Sequence, residues 1–324
     1  MNLLSSIKRP IQEELQLFEK TFVESLQSDN SLLLSVNEHI RQGNGKQLRP
    51  ILVLLCAKIC GKISQQTIES AVALELLHTA SLIHDDVVDD TFERRGRKSV
   101  HAQWNNKIAV LSGDYMLSNA LHYATRTKNI RVLELISNVG LQLSDGELLQ
   151  LINTEQSKIR EEDYFNIIRK KTALLFSTCT EIGALSVGAA SDVQEHLRNY
   201  GEYLGICFQL KDDIFDYYED TNIGKPTGND IRDGKITLPL IYALQNTSGK
   251  ERDEIFATIQ CKNFLAENVH RILRFAHENG GIAYAKEQME RYKKKAIEEI
   301  SSFGDNEIKD SLLASAEFIL ARES

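Results

Sequence analysis

Six aspartates in two matched groups are the residues of this chain best suited to chemistry. Asp85, Asp86 and Asp89 lie in "LIHDDVVDDTFERRG"; Asp212, Asp213 and Asp216 repeat the same D-D-x-x-D spacing in "FQLKDDIFDYYED". On a helix, residues i and i+4 share a face and residue i+1 sits about 100° away. Asp85 and Asp89 are therefore expected to point one way with Asp86 beside them, and the second group to repeat this. Carboxylates so close repel one another unless a cation sits among them. Mg²⁺ suits such oxygens: it takes one or two protein carboxylates and fills its octahedral shell with waters and phosphate oxygens. A single cluster is equally well explained as a solvated acidic helix end. Two clusters, each closing an apolar helical stretch and each with cationic motifs nearby, point to metal ions and a phosphorylated ligand. They could face each other across one cavity.

The basic residues fall into matching groups. "GKQLRP" supplies Lys46 and Arg49, "ERRG" supplies Arg94 and Arg95, and "KKTALLF" supplies Lys171 beside the hydroxyl of Thr172. "GKPTG" and "GKITLP" add Lys225 and Lys235. Guanidinium forks and ammonium point charges are what phosphate oxygens require, and glycine beside lysine lets the backbone approach a phosphate closely. His78 and His84 share a helix with the first aspartates; His78 is expected to contact phosphate and His84 to be structural. Gln209, one turn before Asp213, is placed to hydrogen-bond a diphosphate or a metal-bound water.

Helices must position these side chains. Only four prolines occur, at positions 10, 50, 226 and 239. The long interval between Pro50 and Pro226 shows apolar residues at i, i+3, i+4 and i+7, which predicts helix after helix. "IESAVALELLHTASLIHDD" is apolar over most of its circumference, so its helix is expected to be central and buried. The N-terminal "MNLLSSIKRPIQEELQLFEK" reads as an amphipathic helix rather than a signal peptide, because it lacks an apolar core and a small-residue cleavage site. No alternating pattern of strand length stands out, and the glycine- and proline-bearing stretch 221–239 is expected to be a loop. The fold class expected is all-α, with residues 1–324 forming one domain.

Composition narrows the function classes. The chain has 324 residues, is 42% hydrophobic and 26% charged, and carries a formal net charge of -8. That balance argues against wholesale binding to nucleic acid or to an anionic membrane surface. No apolar run is long enough to span a membrane, so stable insertion is not expected. Five scattered cysteines, at 56, 60, 179, 207 and 261, are expected to be reduced, buried thiols in the cytoplasm rather than a disulfide framework or zinc site.

Together, "GKQLRP", "LIHDDVVDDTFERRG", "KKTALLF", "FQLKDDIFD" and "GKPTGNDIRDGKITLPL" resemble the motifs of the trans-prenyl diphosphate synthases, the polyprenyl synthetase family, in family order and over nearly the whole chain. The resemblance implies a single bundle of mostly antiparallel helices around a deep cavity, in a homodimer. It implies head-to-tail condensation of isopentenyl diphosphate with an allylic diphosphate such as farnesyl diphosphate. Asp85, Asp86 and Asp89 would bind Mg²⁺ bridging the allylic diphosphate, with Asp212, Asp213 and Asp216 holding a further ion, three in all. Arg94, Lys171, Thr172, Gln209, Lys225 and Lys235 would serve the allylic diphosphate. Lys46, Arg49, His78 and Arg95 would bind the diphosphate of isopentenyl diphosphate. No side-chain base is evident; the resemblance implies that the leaving diphosphate takes the proton.

The same resemblance places product-length control on the helix before Asp85. Ala80 and Ser81 stand one turn before the motif and Leu77 one turn further back. Short-chain members often carry an aromatic residue at one of the first two positions; here both are small, and "SDGELLQL" resembles the long-chain branch. One helical turn rises about 5.4 Å, close to one isoprene unit. A product beyond twenty carbons, in the octaprenyl range, is therefore expected; such chains typically become quinone side chains. Three alternatives remain open. A farnesyl or geranylgeranyl diphosphate synthase would use the same motifs. A terpene cyclase would carry an N-S-E type second motif instead of "DDIFD". A non-catalytic subunit of a heteromeric synthase would commonly have lost one aspartate motif.

Overall fold

In a computed structural model of the chain, the apolar run before the first aspartates forms one 24-residue helix, Gln65–Val88. Ser64 opens it with a reciprocal capping box to Thr67, which satisfies two of the amide donors that a helix start leaves orphaned. The helix is buried on most sides through Ile83, as its continuous apolar circumference predicts. Asp89 forms its C-cap, with the backbone amide bonded to the carbonyl of Asp85. The structure describes residues 3–43, 45–157, 160–218 and 228–321.

We number the helices that build the sites in chain order: α1 Leu48–Cys60, α2 Gln65–Val88, α3 Asn106–Arg126, α4 Ile130–Gln156, α5 Glu161–Ile168, α6 Ser191–Phe215 and α7 Asn229–Arg232. Further helices carry the chain from Leu238 to Ala321. The contacts divide the chain into two compact units. One comprises 1–141, 175–201 and 299–315; the other comprises 142–174, 202–298 and 316–324. In the first unit, α2 packs along α3 and α1. The buried face of α1 is unbroken from Pro50 to Ala57. In the second unit, the helices Leu238–Asn246 and Ala266–Glu278 pack on each other. The all-helical expectation holds, and no helix among the described residues is long and apolar enough to cross a membrane.

Three local expectations are corrected. The N-terminal stretch is not one helix: Leu3–Lys8 and Gln12–Ser25 are separated by a 3-10 turn, Arg9–Ile11, with Pro10 at its start. Proline has no amide to continue an α-helical ladder. A two-stranded hairpin, absent from the pattern reading, pairs Glu93–Arg94 with Arg97–Lys98. Arg95 and Gly96 both take positive φ, 55° and 73°, the type I′ geometry that matches strand twist. Cys261 is exposed, whereas Cys56, Cys179 and Cys207 are buried.

Candidate active site

The hairpin aims the first arginine back at the first aspartates. Arg94 donates to Oδ1 of Asp86 through both Nε and Nη2, each at 2.7 Å. Asp86 is buried, Asp85 half-buried and Asp89 exposed. Burial pushes the Asp86 carboxyl upward, and Arg94 pulls it down. Arg95 reaches the other way, donating from Nη1 to the carbonyl of Gly43 at 3.1 Å. That contact ties the hairpin to the turn preceding Lys46 and Arg49.

Beside these residues lies a cavity of about 80 Å³ lined by Glu75, His78, Asp86, Arg94, Arg95 and Arg97, among others. Its character is cationic. His78 is buried, and burial together with Arg49, Arg95 and Arg94 holds its imidazole well below the ordinary pKa. A neutral imidazole there can hydrogen-bond without adding charge. Glu75, like Asp86, is an acidic exception to the positive lining. Burial raises its carboxyl against the pull of Arg49 and Arg95, and among the described residues its Oε2 has no hydrogen-bond partner.

The other face of α2 is different. Ala80 and Leu77 are buried, and half-buried Ser81 donates its hydroxyl to the carbonyl of His78 at 2.9 Å. At about 100° per residue, these three lie roughly opposite Glu75, Thr79 and Leu82, and none of the three lines the cavity. Asp85 falls at the border between the two faces. His84, read as structural, faces Val110 and Asp114, with Nε2 at 3.3 Å from the Val110 carbonyl and 3.4 Å from Asp114 Oδ1.

The second unit builds its own site from α5 and the turn after it, α6, α7 and the segment that follows α7. A cavity of about 140 Å³ is lined by Tyr164, Lys171, Thr172, Gln209, Asp213, Asp230 and Lys235, with apolar Ile167, Ile168 and Ile241. The chain from Arg169 to Ala173, which carries Lys171 and Thr172, winds as a π-helical turn, a form often found at functional positions. Its side chains meet in a relay. Thr172 donates to Gln209 Oε1 at 2.7 Å, and Gln209 Nε2 donates to Asp213 Oδ1 at 2.8 Å. Tyr164 donates to Asp213 Oδ2 at 2.5 Å. Asp213 is raised by burial and by the nearby Asp230. Asp230 is raised by burial and by Asp216, against the pull of Lys235.

The donor set fits a divalent ion. Burial and neighbouring carboxylates disfavour the ionised forms of Asp213 and Asp230, a cost that a bound cation relieves. Among the described residues no three carboxylate, imidazole or thiol groups converge closely enough to hold a metal by themselves. Mg²⁺ draws most of its shell from water and phosphate and takes one or two protein carboxylates. Asp216 also holds backbone. Its two carboxylate oxygens accept the amides of Asn229 and Asp230 at 2.9 and 3.0 Å, which secures the start of α7. Asp212 is half-buried beside Asp213, and Lys46 is exposed. Lys225 lies outside the described residues.

The family model described as "Polyprenyl synthetase" matches residues 30–275. The chain belongs to the polyprenyl synthetase family. It is 33% identical, over 95% of its length and 94% of the relative's, to the all-trans-nonaprenyl-diphosphate synthase (geranyl-diphosphate specific) of Rhodobacter capsulatus. Among solved structures it is similar to geranylgeranyl pyrophosphate synthase from Bacteroides thetaiotaomicron: 43% identity, TM-score 0.87, covering 99% of this chain and 100% of that one. It is also similar to polyprenyl synthase from Caulobacter crescentus CB15, complexed with calcium and isoprenyl diphosphate: 30% identity, TM-score 0.92, covering 99% and 98%. The protein is thus a prenyltransferase.

Three residues that contact or neighbour the candidate site residues in this polyprenyl synthetase lay outside the motif reading. Tyr164 and Asp213 are 49 residues apart in sequence, so no local spacing connects them. Asp230 lies inside the quoted "GNDIRDGK" and was overlooked beside its lysine. Glu147 pairs with Lys171 at 2.7 Å, within a segment noted only for product length.

Proposed function

We propose that this polyprenyl synthetase condenses isopentenyl diphosphate with an allylic diphosphate, farnesyl diphosphate first, into a trans product in the octaprenyl range. The observation that carries this is the division of α2 into two faces. One lines a cationic cavity with His78, Arg94 and Arg95; the other presents Leu77, Ala80 and Ser81, with Asp85 at the border. A diphosphate group and a growing apolar tail need such separate surfaces.

In this assignment Lys46, Arg49, His78 and Arg95 bind isopentenyl diphosphate. Arg94, Lys171, Thr172, Gln209, Lys225 and Lys235 hold the allylic diphosphate. Asp85, Asp86, Asp89, Asp212, Asp213 and Asp216 hold Mg²⁺, three ions with substrate, and Asp216 also secures the start of α7. Bound Mg²⁺ supplies stabilisation of the negative charge that develops on the departing diphosphate. The lysines and Gln209 orient that group and share its charge. Buried apolar side chains keep water from the allylic cation. The alkene of isopentenyl diphosphate then attacks, and the released diphosphate takes the proton. The protein acts in the cytoplasm as a homodimer, its product destined for a quinone side chain. Exposed Val110, Leu111 and Leu121 on α3, with Ile130 and Leu141 on α4, support pairing with a second copy.

A second reading, a stop at twenty carbons, is favoured by the 43% identity to the geranylgeranyl pyrophosphate synthase structure. Sizing the dephosphorylated products made from labelled isopentenyl diphosphate and farnesyl diphosphate with Mg²⁺ separates the two. A ladder ending well past twenty carbons supports the long-chain reading, and an end at twenty replaces it. No elongation from any allylic primer overturns both and favours a non-catalytic subunit.

A further inference from the structure

Three residues of α4 form a saddle over the π-helical turn. A Cβ on Gly146 would stand 2.9 Å from Cγ of Lys171 and 3.0 Å from Cβ of Lys170. Only glycine therefore lets the helix seat against the turn without displacing the two lysines. The flanking acids grip those lysines separately. Asp145 pairs with Lys170, and Glu147 pairs with Lys171 at 2.7 Å. Of the two lysines only Lys171 lines the 140 Å³ cavity, and neither acid does. The Lys171–Glu147 pair is mostly shielded, with side chains 22% and 27% exposed.

We infer that Glu147 is a positioning residue that competes with diphosphate for Lys171. The inference rests on the proposed role of this cavity in holding the allylic diphosphate. A carboxylate at hydrogen-bond distance already occupies part of the ammonium's field. An arriving diphosphate must share or displace it, and it meets the repulsion of a fixed negative charge nearby. The pair thus orients Lys171 before substrate binds and limits how tightly the diphosphate is held afterwards. That limit matters chemically. Each condensation breaks an allylic C–O bond and leaves inorganic pyrophosphate, which must depart before the lengthened product can serve as the next allylic substrate. The Asp145–Lys170 pair has the same chemistry on the same turn but lacks a cavity-lining lysine, so it serves as an internal control.

The test is calorimetric titration of pyrophosphate with Mg²⁺ into the full-length wild type, Glu147→Gln and Asp145→Asn, alongside pyrophosphate inhibition of condensation. Glutamine keeps the length and an acceptor for Lys171 while removing the charge. Glu147→Gln should bind pyrophosphate roughly fivefold more tightly, the scale of a partly shielded ion pair worth about 1 kcal/mol. Its inhibition constant should fall in parallel, and Asp145→Asn should match wild type. A purely structural Glu147 would give weaker binding in Glu147→Gln, and that result or an unchanged affinity overturns the inference. Equal tightening in both variants also overturns it, because the effect would then be general charge. Should Glu147→Gln not fold, Glu147→Met makes the same comparison. Wild type that binds no pyrophosphate would instead sink the assignment of this cavity to the allylic diphosphate.

Discussion

Arg94 places two donors on one oxygen of Asp86, each at 2.7 Å, and the carboxylate is the more deeply buried partner, 6% exposed against 36%. The hairpin turn at Arg95–Gly96 makes this possible by folding the chain back onto α2. Arg94→Met would leave a buried carboxylate without its cation. The expected loss of stability is roughly 2 kcal/mol, between the values for exposed and fully buried pairs. Asp86→Asn combined with Arg94→Met should cost less than the two single changes together. Urea unfolding without substrate measures this, and strict additivity would contradict the pairing.

His78 makes stability depend on pH. Its folded-state pKa is lowered, by burial first and then by Arg49, Arg95 and Arg94. Well above the unfolded value of about 6.5, the imidazole is neutral in both states and its contribution is fully present. As pH falls through that value the unfolded chain takes up a proton that the folded chain refuses. Stability then drops, by at most about 1.4 kcal/mol per pH unit for this one group. His78→Gln should flatten the decline between pH 7.5 and 5.5. Equal slopes in the two proteins would show that His78 accepts its proton in the fold.

Much of this was legible because helical periodicity and motif spacing are local. The apolar circumference of 68–83 predicted α2, and D-D-x-x-D marked the ends of α2 and α6. The hairpin was not legible, because two-residue strands carry no alternation to detect. Pro10 was visible, but its break was not drawn. The partners of the motif residues were the hardest to foresee. Tyr164, Asp230 and Glu147 meet Asp213 and Lys171 only through a hydrogen bond, a charge interaction and an ion pair that the fold creates. A tyrosine or a glutamate in a helix looks the same in sequence whether or not it faces a cavity.

Tyr164 should matter through Asp213 rather than through substrate. Its phenol donates to Asp213 Oδ2 while Gln209 holds Oδ1, so Tyr164→Phe frees the carboxylate to rotate. Hydrogen bonds of this kind to metal ligands are typically worth 10–100-fold in metal affinity. The Mg²⁺ concentration giving half-maximal condensation should therefore rise roughly tenfold, with activity recovered at high Mg²⁺. Chelation should abolish turnover in both proteins. A Tyr164→Phe variant with an unchanged Mg²⁺ requirement would remove Asp213 from the proposed ligand set.

Ala80 gives the sharpest test of product length. It is 2% exposed and sits one turn before Asp85, on the face of α2 away from the cationic cavity. Ala80→Phe inserts a ring where a growing tail would pass. Overpacking a buried position typically costs 1–3 kcal/mol, so unfolding is measured first to establish that the variant is folded. A folded variant should still ionise and condense, because the aspartates and the diphosphate contacts are untouched, but its products should end several isoprene units earlier. Ser81→Phe, at a half-buried position, should do the same at a smaller packing cost. Because the ring blocks the tail and not the headgroup, the rate of the first condensation should change far less than the final length. Chromatographic sizing over a time course separates these effects. If both variants make wild-type products at wild-type length, the tail does not pass these residues and the floor of the pocket lies on another helix.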